Sequence, residues 1–226
     1  MSGDTAPTLR PDSGLTVLYS GSFNPLHIGH LAILRALAAR ADVDRVLLAV
    51  SPRNPLKENI SEASAQARLQ AAREALSRHP ELGGKVAVCD IEFHLPPPYY
   101  TIRTLDALAG KQGGAAPGGG QPAADGGWQG DGTDETAKWI GGAALCLAIG
   151  GDQLADFRRW KDYARILREY GLMVYPRKGF DSAALREDLL REDASYRIIL
   201  LDAPTVDISS TAIREGLLDN LASAMM

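Results

Sequence analysis

The sequence predicts an α/β protein built on an open, doubly wound, mostly parallel sheet and interrupted by one Gly-rich disordered insertion. Two patterns carry that expectation. Six short β-rich runs recur along the chain, and most are apolar on both faces. A sheet face open to water would alternate polar and apolar residues, so such strands belong in a sheet covered by helices on both sides. Helical stretches separate the runs, and this strand-helix alternation is the pattern of a doubly wound domain.

In chain order the runs are Leu15-Thr-Val-Leu-Tyr, Arg45-Val-Leu-Leu-Ala-Val, Lys85-Val-Ala-Val-Cys-Asp-Ile, Ala144-Leu-Cys-Leu-Ala-Ile, Leu172-Met-Val-Tyr and Arg197-Ile-Ile-Leu-Leu. A first helix is expected over Gly29 to Ala41, where Leu31, Leu34, Ala38 and Ala41 fall near helical spacing. A second, Ser61 to His79, opens with Ser and Glu and stays Ala-rich. A third, Asp181 to Glu192, carries Leu185 and Leu189 four apart on one face.

Gly110 to Gly132 breaks the pattern, with ten of the chain's 23 glycines plus Pro117 and Pro122. Ordering such a stretch costs chain entropy and buries little, so it reads as a mobile surface insertion at about 110–141. A substrate lid is the other reading of it. The remainder forms one domain, 14–226, behind a flexible tail at 1–13.

With 45% hydrophobic and 23% charged residues, the composition excludes wholesale disorder and collagen-like or mucin-like chains. Lys and Arg number 24 against 28 Asp and Glu, a net charge of -4, so the basic footprint of a general nucleic-acid binder is missing. Any anion must be caught by a local site. The two cysteines, Cys89 and Cys146, sit inside strand-like apolar runs and read as packed thiols in a reducing compartment. Residues 1–13 offer no signal peptide, and no apolar run approaches the roughly 20 residues that span a bilayer, so a cytoplasmic protein without membrane contacts is expected.

The most informative stretch follows the first strand: Ser20-Gly-Ser-Phe-Asn-Pro-Leu-His-Ile-Gly-His. Strand, small-residue turn and helix N-terminus together make an anion site, since free backbone N–H groups and the positive dipole end point outward there. His27 and His30, three apart, face the same side as those amides. Imidazoles that donate N–H groups, or carry positive charge beside a polyphosphate, stabilise charge developing on a transferring phosphoryl group. No Gly-Lys-Ser/Thr follows, so this is not a P-loop. Surface or capping histidines, or half of a zinc site, are the alternatives. A zinc site needs further ligands, and the only other histidines are His79 and His94.

The His27-Ile-Gly-His30 tetrad, paired with Ile208-Ser-Ser-Thr-Ala-Ile-Arg214, resembles the two signatures of the adenylyltransferase branch of the HIGH-motif nucleotidyltransferase superfamily. Within it, the chain is similar to the bacterial nicotinate-nucleotide adenylyltransferases. Ser51-Pro-Arg-Asn-Pro-Leu-Lys57, Tyr100-Thr-Ile-Arg-Thr-Leu105, Ile149-Gly-Gly-Asp-Gln-Leu154 and Phe157-Arg-Arg-Trp160 carry that likeness, which spans Leu15 to Gly216 outside the insertion. The resemblance implies a Rossmann-like nucleotidyltransferase fold and transfer of AMP from ATP to nicotinate mononucleotide, with Mg²⁺ arriving on ATP and no dedicated metal ligands. Nicotinamide mononucleotide as substrate, phosphopantetheine adenylyltransferase, and a nucleotide-binding module with impaired turnover are the alternatives. The oligomeric state stays open, a homodimer included.

Each segment also has its own chemistry. Ile208, Ser209, Ser210, Thr211 and Arg214 supply hydroxyls, backbone donors and a permanent cation suited to phosphate, or else an N-cap and a solvated Arg. The resemblance implies that Gly21, Ser22 and Phe23 form the turn that faces ATP, and Gly150 precedes Asp152, which is able to accept hydrogen bonds from ribose hydroxyls or to cap a helix. For the mononucleotide the resemblance implies Asn24, Lys57, Tyr100 and Thr101, with Trp160 stacked on the pyridine ring. Core packing is the other reading of Trp160, and solvation that of Lys57. Arg177, two residues past the fifth run, is a further candidate for the triphosphate. His27, His30 and Arg214 are the expected catalytic groups.

The sequence departs from the family at four places. Ser20 replaces a second glycine, Asn24 stands where Asp is common, and Arg103 takes the place of a frequent Asp. The chain ends at Met226 where the family continues through a Pro-Val segment and a Tyr-containing helix, so a final helix is expected to be missing.

Overall fold

The computed structural model describes residues 14–52, 62–111 and 144–203. The tail at 1–13, Lys57, nearly all of the 110–141 insertion, and the Ile208 to Arg214 segment lie outside the described residues.

The described residues form a six-stranded, all-parallel sheet in the order β3-β2-β1-β4-β5-β6. The strands are β1 (Leu15–Gly21), β2 (Arg45–Val50), β3 (Val86–Cys89), β4 (Ala144–Gly150), β5 (Leu172–Tyr175) and β6 (Ile198–Leu200). The helices are α1 (Ile28–Ala39), α2 (Glu62–Ser77), α3 (Thr101–Leu108), α4 (Gly151–Ala155), α5 (Tyr163–Arg165), continued by a π turn over Ile166–Tyr170, and α6 (Ser182–Glu192). This is the expected doubly wound architecture.

Because side chains alternate along a strand, the sheet sorts its residues into two cores. Leu15, Val17 and Tyr19 of β1 pack with Val46 and Leu48 of β2 against Leu31, Leu34 and Leu37 of α1 and Leu69 of α2. Leu18, Leu47, Leu147 and Val174 face the other way, onto Ile102 and Leu105 of α3, Phe157, Ile166 and Leu189 of α6. Burial of a Leu or Phe side chain contributes about 1.5–3 kcal/mol each, so the double layer explains why the central strands carry no polar face. Both Cys89 and Cys146 are buried free thiols, as expected, and burial pushes Cys146 up to about 12.

Element ends differ from the sequence expectation for local reasons. β1 continues to Gly21, whose carbonyl accepts from Ser51 N at 2.9 Å and so extends pairing with β2. The third strand stops at Cys89, where the chain enters a 3-10 turn over Ile91–His94. α1 ends at Ala39 because Arg40 is extended, and Asp181 caps α6 by accepting from Ala183 N and Ala184 N. Helix α3 was not expected, yet it buries Ile102, Leu105 and Leu108 on one face. It is pinned to α5 by Asp106, which accepts from Arg165 at 2.9 and 2.6 Å and from the Tyr170 hydroxyl at 2.7 Å.

Candidate active site

The strand order reverses between β1 and β4, since the chain builds β2 and β3 on one side of β1 and then returns to add β4 on the other. Ligands of open α/β sheets bind beyond the carboxyl ends of the strands at such a point. Gly21 ends β1 there and Gly150 ends β4. A Cβ at Gly21 would sit 3.1 Å from the Phe23 ring, so glycine permits the turn to fold back closely. Phe23 adopts φ 40, an uncommon conformation for a side-chain-bearing residue, and its ring packs edge-on against Tyr19 at 5.3 Å and His30 at 5.0 Å.

His27 and His30 form a reciprocal cap on α1. The Nδ1 of His27 accepts from Gly29 N at 3.2 Å, and the Nδ1 of His30 accepts from His27 N, also at 3.2 Å. A ring whose Nδ1 accepts while neutral carries its proton on Nε2, so both imidazoles are Nε2–H donors. The rings stack, 3.7 Å apart and tilted by 25°, and His27 is only 2% exposed, its Nε2 buried without a partner among the described residues. Burial, helped by the charge of Arg177, lowers His27 to about 4; burial, His27 and Arg177 lower His30 to about 3. The capping reading holds, and the cap does not preclude phosphate binding, because it fixes the tautomer that keeps each ring's proton on Nε2. Of the two expected forms, N–H donor or cation, burial favours the neutral N–H donor for both rings in the unliganded chain.

Across the crevice, a Cβ on Gly150 would lie 2.2 Å from Asp152 Oδ1, 3.0 Å from the Tyr175 ring and 3.1 Å from Arg177 Cγ. A Cβ on Gly151 would lie 2.5 Å from Ser182 Oγ. Both glycines thus exist because side chains close over the end of β4. Gly150, with its N–H donating to Gln153 Oε1 at 3.0 Å, caps α4, so Asp152 is not the cap; it faces Arg177 Nε at 3.5 Å. Arg177 also lies over the Tyr175 ring, which packs edge-on against Tyr19 at 5.8 Å, and Tyr19 reaches His30 at 6.3 Å. One contiguous cluster therefore joins Gly21, Phe23, His27, His30, Gly150, Asp152 and Arg177, with Ser22 in the connecting turn.

Tyr100 and Thr101 lie at the N-cap and first turn of α3; Tyr100 is exposed and Arg103 lies over its ring at 5.4 Å. Trp160 is half-buried against Phe157, with centroids 5.0 Å apart. It is both packed and partly open, so neither reading of it excludes the other. Asn24 lies in the turn before α1. Lys57, Ile208, Ser209, Ser210, Thr211 and Arg214 are outside the described residues.

Two charged residues at the site were missed by the sequence reading. Arg68, on the Ala-rich α2, looks like any solvated cation in sequence but is 5% exposed and donates to the carbonyls of Ser22, Ser51 and Pro52. Glu92, 4% exposed, accepts from Ser20 Oγ at 3.3 Å and Thr104 Oγ1 at 3.1 Å, tying the end of β1 to α3, and burial raises its pKa. Nothing in local sequence marks either, because their partners are 12 to 72 positions away.

The histidines set a pH expectation. Their folded pKa values lie below the ordinary 6.5, so the unfolded chain binds more protons between about pH 6.5 and 3, and stability falls as pH falls through that window. Their contribution is fully present above pH 6.5. Each histidine adds a slope of up to about 1.4 kcal/mol per pH unit. A His27→Asn, His30→Gln double variant keeps capping acceptors and loses both titrations. Urea unfolding from pH 7.5 to 4.5 should show a shallower loss of stability in that variant; parallel curves would refute the assignment.

A cytidylyltransferase-like family model matches residues 18–216 of this chain. A protein of Cytophaga hutchinsonii named probable nicotinate-nucleotide adenylyltransferase is 34% identical over 197 residues, 87% of this chain and 82% of that protein. One of Bacteroides thetaiotaomicron with the same name is 34% identical over 202 residues, 89% and 81% of the two chains. Among solved structures, Plasmodium falciparum nicotinic acid mononucleotide adenylyltransferase complexed with NaAD is similar at a TM-score of 0.63 and 14% identity, covering 93% of this chain and 89% of that one. The same enzyme complexed with APC gives 0.57 and 14%, covering 89% and 83%. At such identities the structural likeness bears on the fold, and the sequence relatives decide the family. The chain belongs to the nicotinate-nucleotide adenylyltransferase family of cytidylyltransferase-like proteins.

Proposed function

We propose that this protein transfers the adenylyl group of MgATP to nicotinate mononucleotide, giving nicotinate adenine dinucleotide and pyrophosphate. The observation that carries the proposal is the histidine pair: two stacked, neutral imidazoles, tautomers fixed by a reciprocal cap, with Nε2–H donors at a helix N-terminus beyond the switch point of the sheet. A 5'-phosphate oxygen of the mononucleotide attacks the α-phosphorus of ATP in line. The bond from that phosphorus to the oxygen bridging the β-phosphorus breaks, and its electron pair leaves with pyrophosphate. No protein nucleophile takes part.

The chain supplies orientation and donors. His27, His30 and the amides of Ser22 and Phe23 meet the polyphosphate, with Arg177 beside them; the arriving anion draws Arg177 from Asp152. Asp152 accepts from ribose hydroxyls, Tyr100 and Thr101 hold the nicotinate group, and Trp160 stacks on the pyridine ring. Gly21, Gly150, Ile208, Ser209, Ser210, Thr211 and Arg214 complete the ATP site, and Asn24 and Lys57 the mononucleotide site. Mg²⁺ enters with ATP as part of the substrate.

Purified protein incubated with MgATP and each candidate mononucleotide, with pyrophosphate followed, tests the reading. Turnover with nicotinate mononucleotide is expected. Turnover only with nicotinamide mononucleotide or phosphopantetheine would replace the substrate, and ATP binding without product would leave a binding module. Trp160→Ala should raise the Michaelis constant for the mononucleotide by roughly tenfold or more and leave kcat nearly unchanged, since ring stacking of about 1–3 kcal/mol lies far from the reacting phosphorus. A fall in kcat alone would assign Trp160 elsewhere.

A further inference from the structure

The carbonyls of the turn after β1 are both taken on the β2 side: Gly21 O accepts from Ser51 N at 2.9 Å, and Ser22 O accepts from Arg68 Nη1 at 2.7 Å. The cis peptide bonds of the described residues are Asn24–Pro25 and Pro97–Pro98, so the Gly21–Ser22 and Ser22–Phe23 peptides are trans. A trans peptide sets its N–H opposite to its C=O. The Ser22 and Phe23 amides therefore point away from β2, to the side of the crevice that β4 closes.

Arg68 does more than hold one carbonyl. The same Nη1 donates to Ser51 O at 2.9 Å, and Nη2 donates to Pro52 O at 2.9 Å. A single buried guanidinium on α2 thus clamps the turn after β1 to the segment after β2. Desolvation of this cation is costly, and its pKa is lowered by burial. Three main-chain acceptors compensate for the loss of water, and they leave its positive charge directly behind the turn.

We propose that Arg68 is a positioning residue for the transfer reaction: it aims the Phe23 amide at the polyphosphate and places a fixed positive charge behind the anion turn. It touches no reacting atom. The proposal rests on the reading that this turn receives the polyphosphate of ATP. Lysine at this position is a compact point charge without the planar fork, so it cannot bridge the two segments in the same way.

The test compares the unmutated chain with Arg68→Lys and Arg68→Met, using inorganic pyrophosphate as the binding probe in calorimetry and steady-state kinetics with MgATP. Loss of aim by about 1 Å at such a site costs up to about 100-fold in rate. Arg68→Lys is expected to weaken pyrophosphate binding about tenfold and lower kcat by about 10- to 100-fold, with the Michaelis constant for the mononucleotide within about twofold. Arg68→Met should be worse on both counts. A folded Arg68→Lys protein with unchanged pyrophosphate affinity and kcat overturns the proposal and leaves Arg68 as packing. A uniform loss of both substrates' affinities overturns it too, since a general structural defect predicts that result.

Should the variants unfold, the amide proton of Phe23 in the unmutated chain carries the test. Its resonance is expected to move downfield on addition of pyrophosphate, together with the Arg68 guanidinium signals. Binding without movement of Phe23 overturns the positioning role. Failure of the unmutated chain to bind pyrophosphate or ATP at all removes the underlying reading of the turn, a result separable from the others because no variant is involved.

Discussion

His30→Ala lowers kcat by about 100- to 1,000-fold while the dissociation constant for ATP changes by less than about tenfold, the expected signature of losing one preorganised donor. The asymmetry follows from where the imidazole stands. Its Nδ1 is committed to the His27 amide, so only Nε2–H is available, and burial keeps the ring neutral and stripped of water. A neutral donor in a dry site gains most when charge develops opposite it, as it does on the non-bridging oxygens of a five-coordinate α-phosphorus. An interaction of equal strength in the ground state would raise the Michaelis constant and leave kcat alone. The cap complicates the substitution, because Ala also removes an acceptor from the His27 N–H. His30→Gln supplies the control, since glutamine at the third helical position accepts from the cap backbone as in a capping box. Single-turnover rates and calorimetric ATP affinities check the split, with thermal unfolding as the folding control. Turnover within about threefold of the unmutated chain in both variants would return His30 to a capping role.

Gly150→Ala is expected to lower kcat/KM for ATP by about 10- to 100-fold, on the scale set by misplacing a positioning group by about an ångström. The added Cβ would meet Asp152 Oδ1 at 2.2 Å, too close for any real contact, and would press on Tyr175 and Arg177. The cheapest relief is rotation of the Asp152 carboxylate, because a side-chain tip moves more easily than the ends of β4 and β5. That relief separates Asp152 from Arg177 and withdraws the acceptor proposed for ribose. The loss should therefore fall on ATP, with the Michaelis constant for the mononucleotide little changed, and with modest loss of stability. Kinetics at varied ATP and fixed mononucleotide, beside urea unfolding, measure both. An unchanged ATP constant would show that Asp152 does not read the nucleotide. Gly151→Ala is the milder comparison, since its Cβ meets the Ser182 hydroxyl, another movable tip.

Local chemistry made most of the fold legible. Strands apolar on both faces can satisfy their side chains only between two helical layers, so Leu18 and Val17 announce a covered sheet before any contact is known. The Gly21 to His30 stretch announces a turn into a capped helix N-terminus because its properties are local: small residues, a helix start and two histidines one helical turn apart. Helix α3 is short and starts without a side-chain cap, so only burial of Ile102, Leu105 and Leu108 reveals its face.

Tertiary structure alone decided the charge state of the site and what holds it in shape. Protonation of His27 and His30 depends on loss of water and on Arg177, some 150 positions along the chain, and neither quantity is written in four residues of sequence. Arg68 and Glu92 are ordinary surface residue types; burial beside partners on other elements makes them determinants of the turn and of α3. The sequence by itself determines which residues lie near one another along the backbone, and hence the sheet, the caps and the turn after β1. Solvation and long-range contact are properties of the packed molecule, because they depend on which distant segments exclude water from the same place.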